Sequence, residues 1–340
     1  MLRILELADR RWSPAFRRFV QPVKPPEGGT PTSQFWLLHS FTLRCILAGS
    51  LLYALNSFAF AELRVATYNL DNYLSKDRVV SGRWRPDYPK PESEKAMIRR
   101  IIMEVQPDVL ALQEIGSPGH LEELHADLAR DGLDYTYAVH LSGPDEVRHI
   151  ALLSKIPPVE VVKHTDLDFK YYDERERVKR GMLEVSFKDE DEGEALFKLF
   201  VVHLKSKYTS NKEDPNSELR RTREAEACRD RIIERTFDLG MNRFLVTGDF
   251  NDHPSSAPLR RFYRRGDLHL GSLVPAVDGH GLVWTYFYEK HAQYSLVDGF
   301  VASPEMLPLI KSGSGHIAGG LESLIGSDHR MVYLDLALVK

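Results

Sequence analysis

Six polar clusters stand at the ends of otherwise apolar, β-rich runs. The run 63–69 leads into Asn69-Leu70-Asp71, the run 109–115 carries Gln113-Glu114, and 197–204 ends in His203-Leu204-Lys205-Ser206. The run 244–250 contains Gly248-Asp249 and leads on to Asn251-Asp252, 296–302 contains Asp298, and Ser327-Asp328-His329 precedes 331–338. Carboxylates and imidazoles cost energy to bury, so a series of them at strand ends implies one shared polar site. The donors are carboxylate and amide oxygens, with no thiolate and no His-x-x-x-His pair. Such hard ligands suit Mg²⁺ or Mn²⁺ better than zinc. Imidazole titrates near neutral pH and suits proton transfer. Each cluster alone has an ordinary explanation: Asn-x-Asp makes turns, Glu114 fits a strand-end carboxylate facing water, and His203 fits a hydrogen-bonded structural histidine. Six together would require six coincidences.

The elements that must position these groups follow from periodicity. Strands are expected at 63–69, 109–115, 150–154, 183–187, 197–204, 244–250, 296–302 and 331–338. Ser93 is expected to cap a helix whose Ile98, Ile101, Ile102 and Val105 recur at helical spacing before Pro107. Leu121, Leu124 and Leu128 mark a second helix, and Ala225, Cys228, Ile232 and Ile233 a third over 217–237. Many strands and few helices in one domain predict two packed sheets covered by helices. The polar segments 75–92 and 205–217 follow site clusters and are expected to be loops at the mouth of the site. Trp284, Tyr286 and Tyr288 alternate along one expected strand. Gly299 is expected to loosen the strand that carries Asp298.

Residues 1–61 read apart from the rest. A basic start is followed by the uncharged run Cys45 to Leu55, preceded by Arg44, and then by Ala59-Phe60-Ala61. This pattern predicts a signal peptide cleaved after Ala61, with the leader over-extended at its start and a folded domain at 62–340. The alternative is a retained anchor, whose uncharged stretch 45–61 has 17 residues, at the lower edge of what spans a bilayer. Export places the chain in the periplasm or outside the cell. Cys228 is alone in 62–340, so no disulfide can form within the domain, and its size suffices for a stable core without one.

The order and spacing of Asn-x-Asp at 69–71, Gln-Glu at 113–114, Gly-Asp-x-Asn at 248–251 and Ser-Asp-His at 327–329 resemble the endonuclease/exonuclease/phosphatase family, in particular its deoxyribonuclease I and exonuclease III-like branches. The resemblance implies a four-layer α/β sandwich, two packed mixed β-sheets flanked by helices. It implies Glu114 as principal ligand of Mg²⁺ or Mn²⁺, with Asn69, Asp71 and Asp328 beside it. Asp249 and Asn251 resemble the pair that orients the attacking water and binds the scissile phosphate. His329 looks like the histidine held by a carboxylate, here Asp298, and His203 matches the second histidine of the deoxyribonuclease I branch. Arg180, before 183–187, and Lys205 are the expected contacts to substrate phosphate.

Charge narrows the substrate. Residues 62–340 hold 38 basic and 46 acidic side chains, a net of −8, which excludes a broad cationic binder of nucleic acid. Steering is then left to local basic groups and metal. The expectation is a monomeric, secreted nuclease acting on DNA, with RNA as a further substrate, and with no stable protein partner and no membrane contact once the leader is removed. The alternative is a lipid or small-molecule phosphodiesterase or phosphatase of the sphingomyelinase kind. The polar 205–217 segment speaks against insertion into lipid.

Overall fold

The computed structural model describes residues 61–188 and 195–338. The expected leader, apart from Ala61, lies outside the described residues. Thirteen strands build two facing sheets. In chain order they begin with β1 (Ala61–Tyr73), β2 (Val109–Ile115), β3 (Tyr137–Leu141), β4 (His149–Ser154) and β5 (Pro158–His164). They continue with β6 (Met182–Lys188), β7 (Ala195–His203), β8 (Phe244–Asp249), β9 (Ser272–Leu273) and β10 (Ala276–Val277). The last are β11 (Asp298–Ala302), β12 (Gly315–Ile317) and β13 (Val332–Leu338). The seven-stranded sheet runs β10-β12-β13-β1-β2-β4-β3, and the six-stranded sheet runs β9-β11-β8-β7-β6-β5. Both mix parallel and antiparallel pairs.

Among the described residues four α-helices complete the layers: α1 (Glu92–Val105), α2 (Pro118–Arg130), α3 (Glu218–Arg235) and α4 (Ala257–Tyr263). Strand alternation separates three cores. Val65, Val109, Ala111 and Leu152 face Leu183, Val185, Leu199, Val201, Leu245 and Phe300 between the sheets. Their neighbours Ala66, Tyr68, Leu110 and Leu112 turn outward to Ile98, Ile102, Leu124 and Leu128 of α1 and α2. On the other side Phe200, Val202, Val246 and Val301 pack on Ala225, Cys228, Ile232 and Leu259 of α3 and α4. Burying the two faces of each sheet this way is what makes a helix–sheet–sheet–helix stack. Among the described residues no helix is long and apolar enough to cross a membrane.

Several expectations need correction. Ser93 does not cap α1; the cap position is Pro91, two residues earlier, and Glu92 and Glu94 supply negative charge to the first turn. The segment 75–92 is not an irregular loop: it holds a hairpin of Lys76–Val80 and Arg83–Tyr88 joined through Ser81-Gly82. The strand expected to carry Trp284, Tyr286 and Tyr288 is only Tyr286–Tyr288, paired with Gln293–Ser295. Gly299 leaves β11 intact: it pairs with Gly248, and a Cβ built on it would lie in ordinary contact, 3.6 Å from Leu273 Cδ1.

Under α3 the outer face of the six-stranded sheet carries a buried ionic cluster. Glu184 of β6 accepts hydrogen bonds from Lys198 Nζ (2.5 Å) and Arg235 Nε (2.8 Å) and pairs with His164 Nε2 (2.8 Å). Burial raises its pKa, but His164, Arg235 and Lys198 outweigh burial and hold the carboxyl at about 2. A depressed carboxylate contributes stability that is present above its unfolded value and lost as pH falls through its folded one. Glu184→Gln is therefore expected to cost about 3 kcal/mol near neutral pH, and urea titrations of the two proteins should converge between pH 4.5 and about 2.

Candidate active site

Register brings three of the expected site residues level with one another. In the six-stranded sheet His203 lies opposite Asp249 on the parallel β7–β8 pair, and Asp249 opposite Asp298 on the antiparallel β8–β11 pair. Alternation from Val201, Leu245 and Phe300, all in the inter-sheet core, turns these three side chains inward. Gly248 makes this level accessible. Its φ is +133°, and a Cβ there would fall 1.9 Å from the Val202 carbonyl oxygen, so only glycine fits.

The seven-stranded sheet supplies its half through two bulges at the ends of neighbouring strands. Asn69 is opposite Gln113, after which the β1–β2 register shifts, and β2 shifts against β4 between Gln113 and Ile115. Strict alternation would send Glu114 outward beside Leu110 and Leu112. Instead Ile115 takes the outward place, and Glu114, at φ 59°, turns to the site. Asp71 (φ 44°) and Asn72 (φ 59°) make the matching break in β1.

The two halves meet directly. Asn69 Nδ2 donates to Asp249 Oδ2 at 2.9 Å, and Asn251 donates to the same carboxylate from N (2.7 Å) and Nδ2 (3.0 Å). Asp249 Oδ2 also lies 3.5 Å from His203 Nε2 and 3.9 Å from His329 Nε2. His329 Nδ1 pairs with Asp298 Oδ2 at 2.8 Å. The Ser327–His329 turn is tied to β1, because Ser327 Oγ donates to Asn69 O (2.7 Å) and accepts from His329 N (3.0 Å). Glu114 Oε2 accepts from Asn72 N at 3.0 Å, and its Oε1 lies 3.8 Å from His203 Nε2.

Electrostatics split the two histidines. Burial, reinforced by Arg180, His329, Arg148 and Lys205, holds His203 well below the usual imidazole range. Burial works the same way on His329, but Asp298 and Asp249 outweigh it and hold its pKa well above that range. Burial and the Asp298 charge push Asp249 up to about 7. Partial burial, with the charges of Asp71 and Glu114, pushes Asp328 to the same value against the pull of His329. Asp71 is held low against burial, chiefly by Lys90 and the Asn72 amide.

The two expected phosphate contacts fare differently. Arg180 is buried, with Nε 3.2 Å from Asp145 Oδ2 and Nη1 without a hydrogen-bond partner. Lys205 Nζ instead donates to the carbonyls of Ser206 (2.9 Å) and Tyr208, so its ammonium is tied into its own loop. Sequence reasoning missed three residues around the site, Lys90, Glu224 and Thr285, and had noted Tyr286 without its place beside His329. Lys90 is buried and donates to Asp71 O at 2.7 Å; the flanking Pro89 and Pro91 were its signal. Glu224 accepts from Lys205 N (2.7 Å) and Lys179 N (3.2 Å), bracing both loops, and its mark was an acidic residue in helical phase with buried Cys228 and Ile232. Thr285 Oγ1 accepts from Asp298 N (3.1 Å), and Tyr286 packs its ring 4.7 Å from that of His329.

Two groups of donors compete for a cation. Donor atoms of Asp249, Asp298 and His329 lie within 4.8 Å of one another, but the direct hydrogen bond of His329 with Asp298 occupies that place with a proton. Asp71, Glu114 and Asp328 are hard carboxylates whose mutual repulsion shows in the raised Asp328, and Asn69 adds an amide oxygen beside them. That donor set fits a divalent cation of the Mg²⁺ or Mn²⁺ type.

A two-sheet sandwich with a carboxylate cluster and a His–Asp pair at one end defines the phosphoesterase class. The chain belongs to the Endonuclease/Exonuclease/phosphatase family, whose model matches residues 66–329. Its members are hydrolases of phosphoric ester bonds and are typically dependent on divalent metal. Among solved structures, an endonuclease/exonuclease/phosphatase from Bacteroides vulgatus is similar at TM-score 0.56 and 17% identity, over 82% of this chain and 99% of that one. The human Nocturnin catalytic domain, with bound sulfate, is similar at 0.54 and 17%, over 81% and 93%. Sphingomyelinase C from Streptomyces griseocarneus is similar at 0.50 and 17%, over 81% and 99%. No curated protein sequence matches the chain.

Ser327→Ala removes the hydrogen bond that ties the His329 turn to Asn69 of β1 and the one that Ser327 Oγ accepts from His329 N within the turn. The loss should cost about 1–3 kcal/mol in urea denaturation, and unchanged stability would show that the turn is held by other contacts.

Proposed function

We propose that this chain is an exported, metal-dependent nuclease that hydrolyses DNA phosphodiesters. The observation that carries the reading is Asp249, held by two amides between the carboxylate cluster and the His329–Asp298 pair. Asp71, Glu114 and Asp328, with Asn69, would hold the cation. When bound it supplies Lewis-acid neutralisation of the phosphate's charge. The residues of the chain do the remaining work. Asp249, whose proton affinity is raised to about 7, takes the proton of the attacking water, and Asn251 fixes the orientation of that carboxylate. His329, kept protonated by Asp298, faces the developing negative charge on phosphate and gives its proton to the leaving oxygen as the P–O bond to it breaks. His203 stays neutral and donates a hydrogen bond, and Arg180 offers its unpartnered Nη1 to a phosphate oxygen.

Nucleic acid is favoured over a lipid because Arg148, Arg180 and Lys205 all surround His203 at the site, while the 205–217 loop beside it is polar. The leader at 1–61 supports export.

Purified protein should nick plasmid DNA with Mg²⁺ or Mn²⁺ and stop with EDTA, and Asp298→Asn should lower kcat about 10²–10⁴-fold. Metal should raise the melting temperature of the wild type and leave that of Glu114→Gln unmoved. Intact plasmid beside hydrolysed sphingomyelin or bis(p-nitrophenyl) phosphate would move the substrate to the lipid or small-ester class. No hydrolysis of any of these would refute the reading.

A further inference from the structure

The hairpin of Lys76–Val80 and Arg83–Tyr88 starts four residues after Asn72 and forms a two-stranded sheet of its own. Pairing sorts its side chains onto two faces. Arg78 lies opposite Arg85 and Val80 opposite Arg83, so Lys76, Arg78, Arg83 and Arg85 share one face. Val79 lies opposite Trp84 on the other face, where the two side chains are 66% and 63% exposed. The hairpin's acids are Asp77, which accepts from Asp87 N, and Asp87 itself, so its balance is two positive charges.

The cationic face is aimed at the catalytic end. Arg78 Nη2 donates to the carbonyls of Asn72 (2.7 Å) and Leu74 (3.1 Å), which folds that face onto the end of β1. Lys76 is close enough to Asp71 and Glu114 for their charges to act on it. Arg83 and Arg85 are exposed and make no side-chain hydrogen bond or ion pair to the described residues. From Lys76 to the level of Arg83 the strip spans about 13 Å, or about four steps of B-form rise along one strand.

We propose that this hairpin is a polynucleotide-binding arm, in which Arg83 and Arg85 hold backbone phosphates beyond the one being cut. The proposal rests on the nuclease reading and narrows its substrate to a chain of several nucleotides. A small phosphoester would not reach the arm. A membrane-inserting tip would be apolar at its turn, whereas this turn is Ser81-Gly82 followed by Arg83. Guanidinium groups against backbone phosphates are the usual source of sequence-independent affinity for a nucleic-acid strand. In a chain whose folded part is net acidic, this cationic strip lies beside the site that needs to attract a polyanion.

The test compares wild type, Arg83→Ala/Arg85→Ala and Trp84→Ala on plasmid DNA and on bis(p-nitrophenyl) phosphate. The arm predicts roughly a tenfold fall in kcat/KM on plasmid for the double variant, with hydrolysis of the small ester unchanged. Binding of a labelled duplex, measured in a Glu114→Gln background, should lose about 1.8 from the slope of log K against log salt when both arginines go. Trp84→Ala, on the opposite face, should leave both the affinity and the slope unmoved. Plasmid cleaved by the double variant as by wild type would overturn the arm and leave the nuclease reading standing. An equal fall on plasmid and ester would also overturn it, since the damage would then lie in the site. Wild type that leaves plasmid intact would take both proposals down. Variants that lose binding to anionic phospholipid vesicles while keeping that to DNA would reassign the hairpin to a membrane.

Discussion

The amide of Asn69 joins the two sheets at the end of the core, and the arrangement of the site depends on it. Between the sheets the contacts are apolar and non-directional, so they hold the layers together without setting their alignment to a fraction of an ångström. The bond from Asn69 Nδ2 to Asp249 is directional and buried. Asparagine is suited to this place because it donates and accepts at once. While Nδ2 serves Asp249, Oδ1 accepts from Asp71 N and the main-chain oxygen accepts from Ser327 Oγ. One residue thus fixes the carboxylate of one sheet, the bulge of the other and the turn that carries His329. Aspartate there would set two carboxylates against each other in a buried place.

The bulges show what it costs to turn a metal-type ligand into a closed sandwich. Glu114, Asp71, Asn72 and Asn251 all adopt left-handed backbone, which costs of order 1–3 kcal/mol each for residues with a side chain. Each is held by a specific bond: Glu114 through Asn72 N, Asp71 through Asn69 Oδ1 and Lys90, and Asn251 through Asp249 Oδ1. The strain is offset by the two sheet faces beneath it, which is why these groups sit at strand ends and not on free loops.

This also separates what was legible in the sequence from what was not. The central strands were legible because they are buried on both faces and read as apolar runs; β2 was expected at 109–115 and spans Val109–Ile115. Among the unread strands, β9, β10 and β12 have only two or three residues, while β3 and β5 are edges, and β5 interleaves exposed Glu160 and Lys163 with its valines, so no clean alternation survives. The polar clusters announced that a site exists. Alternation could not announce that Glu114 leaves its phase, because the bulge is decided by pairing with β1 and β4. Lys205 looked like a phosphate contact by its place in sequence, and only the carbonyls around Nζ show where its charge is used. Glu224 sits 19 residues from the loop amide it braces, and no local pattern links the two.

The two histidines show how one residue type serves two ends in a space of a few ångströms. Burial acts on both in the same direction, so the difference comes from their partners. His329 has a carboxylate on Nδ1 and further carboxylates facing Nε2, and its charged form is favoured. His203 has an unpartnered Nδ1 and no hydrogen-bonded carboxylate, only Asp249 and Glu114 at 3.5 and 3.8 Å from Nε2, and the charges of Arg180, His329, Arg148 and Lys205 add to burial in disfavouring a proton there. Environments that push two like groups apart are how a fold keeps one acid and one neutral donor available at the same pH. Here the separation follows from the sheet. Asp298 and Asp249 face each other across β8–β11, and the turn holding His329 is pinned to β1, so the charged imidazole can rest only where the carboxylates are.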